Sequence, residues 1–261
     1  MKRVSFRGPF FRYFLPAVVL LILWYGVLSM LGPERKLAEI RNEYGKSGNE
    51  GLKVGEWIRT DPEYLKLVKE KEHLRAKVAM ASTDSVYFVV NLSDSTGSLE
   101  ISGVRVYSAQ ISRIRASRIL RKGDVPAVTE YLSGPLNIIR EYSTVRKEPL
   151  MVKKAPRDTS EYIPDIIPDT SYIEPISYIL ELDRGIRLIV RQEEVDGFRD
   201  RFSLYKFDLN DRLRNTWRSF RRIIMFRIPE YQSFISIRLP GEEARTIFRA
   251  IPRNGQLTII Q

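Results

Sequence analysis

Ser233-Phe234-Ile235-Ser236-Ile237-Arg238-Leu239 runs directly into Pro240-Gly241-Glu242-Glu243-Ala244-Arg245-Thr246-Ile247-Phe248-Arg249-Ala250-Ile251-Pro252. Ile235, Ile237 and Leu239 alternate with Ser236 and Arg238, the two-residue period of a strand with one apolar face. Pro240 suits a helix entry, and Glu242 and Glu243 suit the positive end of a helix. Ala244, Ile247, Phe248 and Ile251 then share one face at the helical period. Gln256-Leu257-Thr258-Ile259-Ile260 reads as another strand. The spacing predicts strand, helix, strand.

Working outward, residues 84–111 read as a β-meander. Residues 86–92 are strongly β-forming, and Asp94-Ser95-Thr96-Gly97 turns the chain. Leu99, Ile101, Val104 and Val106 carry two more short strands around Gly103.

Taken in order, these two stretches resemble the beginning and end of the L,D-transpeptidase (YkuD-type) catalytic domain. That family opens on a pattern like I-x-V-D-L-S, here Phe88-Val89-Val90-Asn91-Leu92-Ser93, and closes on S-H-G-C-I-R-M, a helix ending like Y-R-x-x-P, and a last strand. Ser233, Ile237 and Arg238 keep the family residues, and Leu239 replaces the methionine. The catalytic cysteine falls on Ser236, the histidine on Phe234 and the glycine on Ile235. The resemblance implies a mixed α+β, mostly β domain at residues 84–261, exported and acting at the cell wall. It carries over no catalytic residue. Between the two stretches nothing matches well.

The chemistry left by the composition agrees. The 261-residue chain has no cysteine and one histidine, His73. Thiol catalysis, disulfides and cysteine-type zinc sites are excluded, and no metal site or cofactor is signalled. A serine nucleophile at Ser236 would need a strong neighbouring base, and no S-x-x-K stands near it. Ser236 and Arg238 read more simply as the polar face of a strand. Lys and Arg number 43 against 32 Asp and Glu, a formal +11, which favours anionic partners.

Residues 1–12 form a short basic tail, and residues 13–33 carry no charge. As a helix those 21 positions span roughly 32 Å, enough for a bilayer core. The expectation is an uncleaved single-pass anchor in the inner (cytoplasmic) membrane, with the large domain in the periplasm. Basic residues flank the span evenly, so charge alone does not orient it. Residues 34–83 read as a helical juxtamembrane segment, helical over 34–45 and broken by Gly45, Gly48 and Gly51. A second helix starts at Thr60 or Asp61, with Pro62 near its first position and Glu63 completing a capping box with Thr60. Its Tyr64, Leu67, Lys71, Leu74 and Val78 form a short seam, with His73 off it among charges and read as solvated.

Further on, residues 113–124 read as a weak helix or irregular turn, and strands are expected near 137–144 and 149–154. Residues 155–175, with Pro156, Pro164, Pro168 and Pro175 and five acids, read as an extended acidic connector. Residues 176–182 and 186–190 make a hairpin turned by Asp183-Arg184-Gly185. A basic helix begins at Asn210 or Asp211 and holds Arg212, Arg214, Arg218, Arg221 and Arg222, with Leu213, Trp217 and Phe220 on an apolar side. These arginines suit an anionic surface, lipid headgroups or an acidic protein. The absence of any usual nucleic-acid motif disfavours nucleic acid.

The sequence therefore points to a non-enzymatic, membrane-anchored envelope protein. It would act as a structural or regulatory subunit, a scaffold for other envelope proteins, with peptidoglycan as a candidate ligand. A cell-wall enzyme using Ser236 is the enzymatic alternative, and a nucleic-acid binder the third.

Overall fold

The computed structural model describes residues 9–45, 61–147, 174–225 and 227–261. Helix α1 runs Pro9–Tyr44 and α2 Pro62–Ala81. Strands β1 (Tyr87–Asn91), β2 (Thr96–Ile101), β3 (Val104–Gln110) and β4 (Arg113–Ala116) follow. Next come α3 (Arg118–Lys122), α4 (Val125–Ser133), β5 (Leu136–Ser143), β6 (Ser177–Leu182) and β7 (Ile186–Gln192). The chain continues through α5 (Phe198–Ile224), β8 (Ser233–Leu239), α6 (Gly241–Ala250) and β9 (Gln256–Ile260). The fold is mixed α+β, but the expected excess of strand is wrong: about half of the described chain is helix. The unexpected helix lies in α5, which starts at Phe198 rather than at Asn210 or Asp211, and in α4. Residues 13–33 and 34–44 form one unbroken α1, and α5 is 27 residues long.

The nine strands form one mixed sheet in the order β3-β2-β1-β9-β5-β6-β7-β8-β4. Its two edge strands, β3 and β4, are joined by only Ile111 and Ser112. Two residues reach about 10 Å, so the two ends of the sheet must curl together. The core confirms the curl, because Phe88, Val90 and Leu99 from one half share a cluster with Leu188, Ile235 and Ile237 from the other. Between the halves lie Ala244, Ile247 and Phe248 of α6, and Phe248 packs on Tyr178 of β6 with ring centroids 4.8 Å apart.

The strand–helix–strand reading of residues 233–260 matches β8, α6 and β9 residue for residue. β8 and β9 are not neighbours, however. β9 lies between β1, parallel, and β5, while β8 lies between β7, parallel, and β4. Parallel neighbours need a crossover, and α5 is the crossover from β7 to β8. The meander and the 183–185 hairpin are also found. Ser102 and Gly103 supply the positive φ of a tight turn, as do Arg184 and Gly185. Residues 113–124, read as a weak helix or turn, are strand β4 followed by the short helix α3. The strand expected at 149–154 and most of the acidic connector fall outside the described residues.

At the start of α2, Asp61 is the N-cap and its carboxylate accepts from Glu63 N at 3.0 Å. Ala76 and Met80 are its buried residues and pack with Tyr87, Val89 and Ile260. The seam does not face the domain: Leu67, Leu74 and Val78 are exposed. His73 is half-buried rather than solvated, and burial, then Lys77, pushes its pKa down. Ile40 of α1 enters the main core, and Tyr44 meets Tyr131 of α4 edge-on at 5.4 Å. Among the described residues, no helix is long and apolar enough to cross a membrane.

Candidate functional site

Strand β8 alternates as its sequence demands. Ser233, Ile235, Ile237 and Leu239 are buried toward the core, while Phe234, Ser236 and Arg238 take the opposite face. Register then fixes their neighbours. Ser236 lies beside Ile189 of β7 and Arg115 of β4, Phe234 beside Arg187, and Arg238 between Arg191 and Arg113. The outer face of this half of the sheet is therefore strongly basic.

Helix α5 covers that face, and it is held mainly by ions. It buries only two residues, Asp211 and Ile223. Asp211 accepts from Arg187 at 2.6 Å, Arg214 at 2.8 Å and Asn215 at 3.2 Å. Arg191 pairs with Asp208 at 2.9 Å. Arg218 donates to the buried Glu181 of β6 at 3.1 Å. Burial works against the Arg218 charge, but Glu181 outweighs it and holds the guanidinium above its ordinary pKa. Arg214 also stacks on Tyr142, 3.5 Å from the ring centre, and Arg222 pairs with Glu230 at 2.5 Å.

Between α5 and the sheet is a cleft of about 820 Å3, lined in part by Phe234, Ser236, Ile189, Arg115, Arg187 and Arg212. Of the four strand residues singled out from the sequence, Ser233, Phe234, Ser236 and Arg238, two thus face one cavity. Arg238 lies further along the strand, and Ser233 is turned into the core. Among the described residues the Ser236 hydroxyl makes no hydrogen bond, and no base adjoins it. The two carboxylates in the cleft, Asp208 and Asp211, are tied to Arg191 and Arg187. His73, on α2, belongs to the helix that packs on β1 and β9.

What the cleft does offer is an excess of positive charge, five lining arginines against two aspartates. The buried Nε atoms of Arg187 and Arg191 have no hydrogen-bond partner among the described residues. Arg115, Arg121 and Arg212 line the cleft and have no ion pair among the described residues. Such a cavity suits a carboxylate or phosphate group. No group of three or more potential metal ligands is found among the described residues.

The five arginines singled out from the sequence separate into two sets. Arg214, Arg218 and Arg222 are spent on Asp211, Glu181 and Glu230; of these pairs Arg218–Glu181 ties α5 to β6, while Arg214–Asp211 lies within the helix. Arg212 and Arg221 are exposed. Sequence reasoning missed Arg187 and Arg191, although Arg187-Leu188-Ile189-Val190-Arg191 puts two arginines on one strand face. No family model matches the chain, and no curated protein or solved structure matches it.

Proposed function

We propose that this is a membrane-anchored, non-catalytic member of the cell envelope. On this reading its domain is a degenerate L,D-transpeptidase-like fold that serves as a binding subunit of an envelope complex. One observation carries the reading. The strand that would present the family's reactive pair is intact, yet it presents Phe234 and Ser236 between arginines, beneath a helix pinned across them. Among the described residues, the carboxylates nearest that serine, Asp208 and Asp211, are already paired with arginines, which leaves it without a free base. The same arginines suit an acidic ligand, and peptide carboxylates of peptidoglycan have that chemistry.

The anchor is supported by the uncharged stretch 13–33 within α1. Of its described side chains, Phe14, Leu15, Leu20, Leu23, Val27 and Met30 are exposed along the helix. Bilayer lipid is the cover such a surface suits.

Detergent extraction and affinity capture of the tagged full-length chain, with mass spectrometry of what comes with it, tests the subunit reading. Stable recovery of other envelope proteins is expected, and recovery of the chain alone overturns it. Incubation with a peptidoglycan stem peptide, followed by intact mass, tests the non-catalytic reading. An acyl adduct that disappears in Ser236→Ala would establish the enzymatic alternative instead.

A further inference from the structure

The face of α5 that points away from the sheet has no use in the account above. Phe198, Phe202, Tyr205, Leu209, Leu213 and Trp217 recur every three or four residues and are all exposed, Phe198 at 85% and Trp217 at 67%. Phe198 and Phe202 stack at 6.3 Å. The helix is about 40 Å long, so this is an extended apolar stripe of the kind that marks a contact surface. Lys206 and Arg221 border it, exposed and without an ion pair among the described residues. The acids Asp208 and Asp211 are turned back onto Arg191 and Arg187. The outward face is therefore aromatic and positive.

We propose that this face lies on a bilayer surface rich in anionic lipid, as a second membrane contact beside α1. Its charge selects the occupant. A second copy would bring like charges together, whereas anionic headgroups are complementary. Its position agrees. Ile223, near the end of α5, is buried, and the chain just beyond it touches α1. A Cβ on Gly32 would lie 3.3 Å from Pro229 O and 3.7 Å from Tyr231 Cβ. Helix α5 thus ends beside the point where the uncharged stretch of α1 gives way to Glu34, Arg35 and Lys36. Phenylalanine, tyrosine and tryptophan between basic flanks are the composition of a helix seated at headgroup level. The location, though not the face itself, rests on the anchor reading.

The absence of cysteine makes the test direct. Single-cysteine variants Tyr205→Cys, Leu213→Cys, Val106→Cys on edge strand β3, and Leu20→Cys in α1 are spin-labelled in the full chain. Each is reconstituted into bilayers of phosphatidylcholine with or without phosphatidylglycerol. Accessibility to oxygen and to an aqueous nickel relaxant is then measured. With phosphatidylglycerol, labels at 205 and 213 are expected to show an oxygen-to-nickel ratio several-fold above that at 106, and to lose most of that excess without it. Ratios at 205 and 213 equal to that at 106 overturn the proposal. So does spin–spin broadening between labelled copies, which assigns the face to a second chain. A label at 20 that is aqueous as well sinks the anchor reading; one that is lipid-buried confines the failure to α5.

Discussion

Replacing Asp211 by alanine removes the buried acid through which α5 is tied to Arg187 of β7. Arg187 and Asp211 are each about nine-tenths buried, at 10% and 11% side-chain exposure, and meet at 2.6 Å. Breaking a buried pair by deleting one partner costs about 3–5 kcal/mol, because the remaining charge stays desolvated. Two features place Asp211→Ala near the lower end. Arg214, the second partner, is 30% exposed and can turn to water, and Glu181 still lies 3.9 Å from Arg187 Nε. A loss of about 3 kcal/mol is about two decades in an equilibrium constant. Since α5 buries so little apolar surface, the loss is expected as detachment of the helix rather than collapse of the sheet. Hydrogen exchange of the full chain should show amides at 208–222 exchanging about 100-fold faster, with β6 and β7 unchanged. Asp208→Ala is the control. Its pair with Arg191 is 35% and 30% exposed, so it should cost about 0–1 kcal/mol. Equal effects of the two substitutions, or uniform acceleration across β6, β7 and α5, would refute the assignment of Asp211 as the latch.

Other perturbations follow from the packing. Phe248→Ala empties the contact with Tyr178 between the sheet halves and should cost about 3–5 kcal/mol in denaturant unfolding. Gly185→Ala puts a Cβ on a residue at φ +75° in the β6–β7 turn, and a loss of about 1–2 kcal/mol is expected in the same assay. Burial lowers the pKa of His73 in the folded chain, so the unfolded chain binds its proton first as pH falls. That contribution to stability is whole above the ordinary histidine value of about 6.5 and fades as pH drops through the folded value. Against His73→Gln, the parent chain should lose more stability between pH 7 and pH 5, measured by urea titration at each pH. Arg184 donates to the carbonyls of Glu130 at 3.2 Å and Tyr131 at 3.0 Å, near the end of α4. Arg184→Gln should therefore destabilise by about 1 kcal/mol and raise exchange at the end of that helix.

Where local pattern and burial agreed, the fold was legible. β8, α6 and β9 were readable because Ile235, Ile237 and Leu239 keep the strand period and Ala244, Ile247 and Phe248 the helical one, and all six are buried. α5 was cut short because its first half shows the helix period only on its exposed side. Phe198, Phe202, Tyr205 and Leu209 are spaced as a helix, but an apolar stripe in water is an unusual cue. Strand β4 was hidden because Arg113-Ile114-Arg115-Ala116 is half charged, and those charges are tolerated at a sheet edge facing the cleft. The alternation of Ile235, Ile237 and Leu239 with Ser236 and Arg238 placed Ser236 correctly on a strand's polar face. It could not reveal the roof above it, because the contact between Arg187 and Asp211 depends on the route α5 takes back across β7.

The order of the sheet also dictates an order of assembly. β9 sits between β1 and β5, with Tyr87 opposite Gln256 and Leu136 opposite Leu257. Until residues 256–260 have been made and delivered, β1 has only its hairpin partner β2, and β5 only β6. A chain threaded across a membrane from its beginning would therefore emerge as two incomplete half-sheets with open edges. The keystone strand arrives after everything it joins, so closure of the sheet is a single late event.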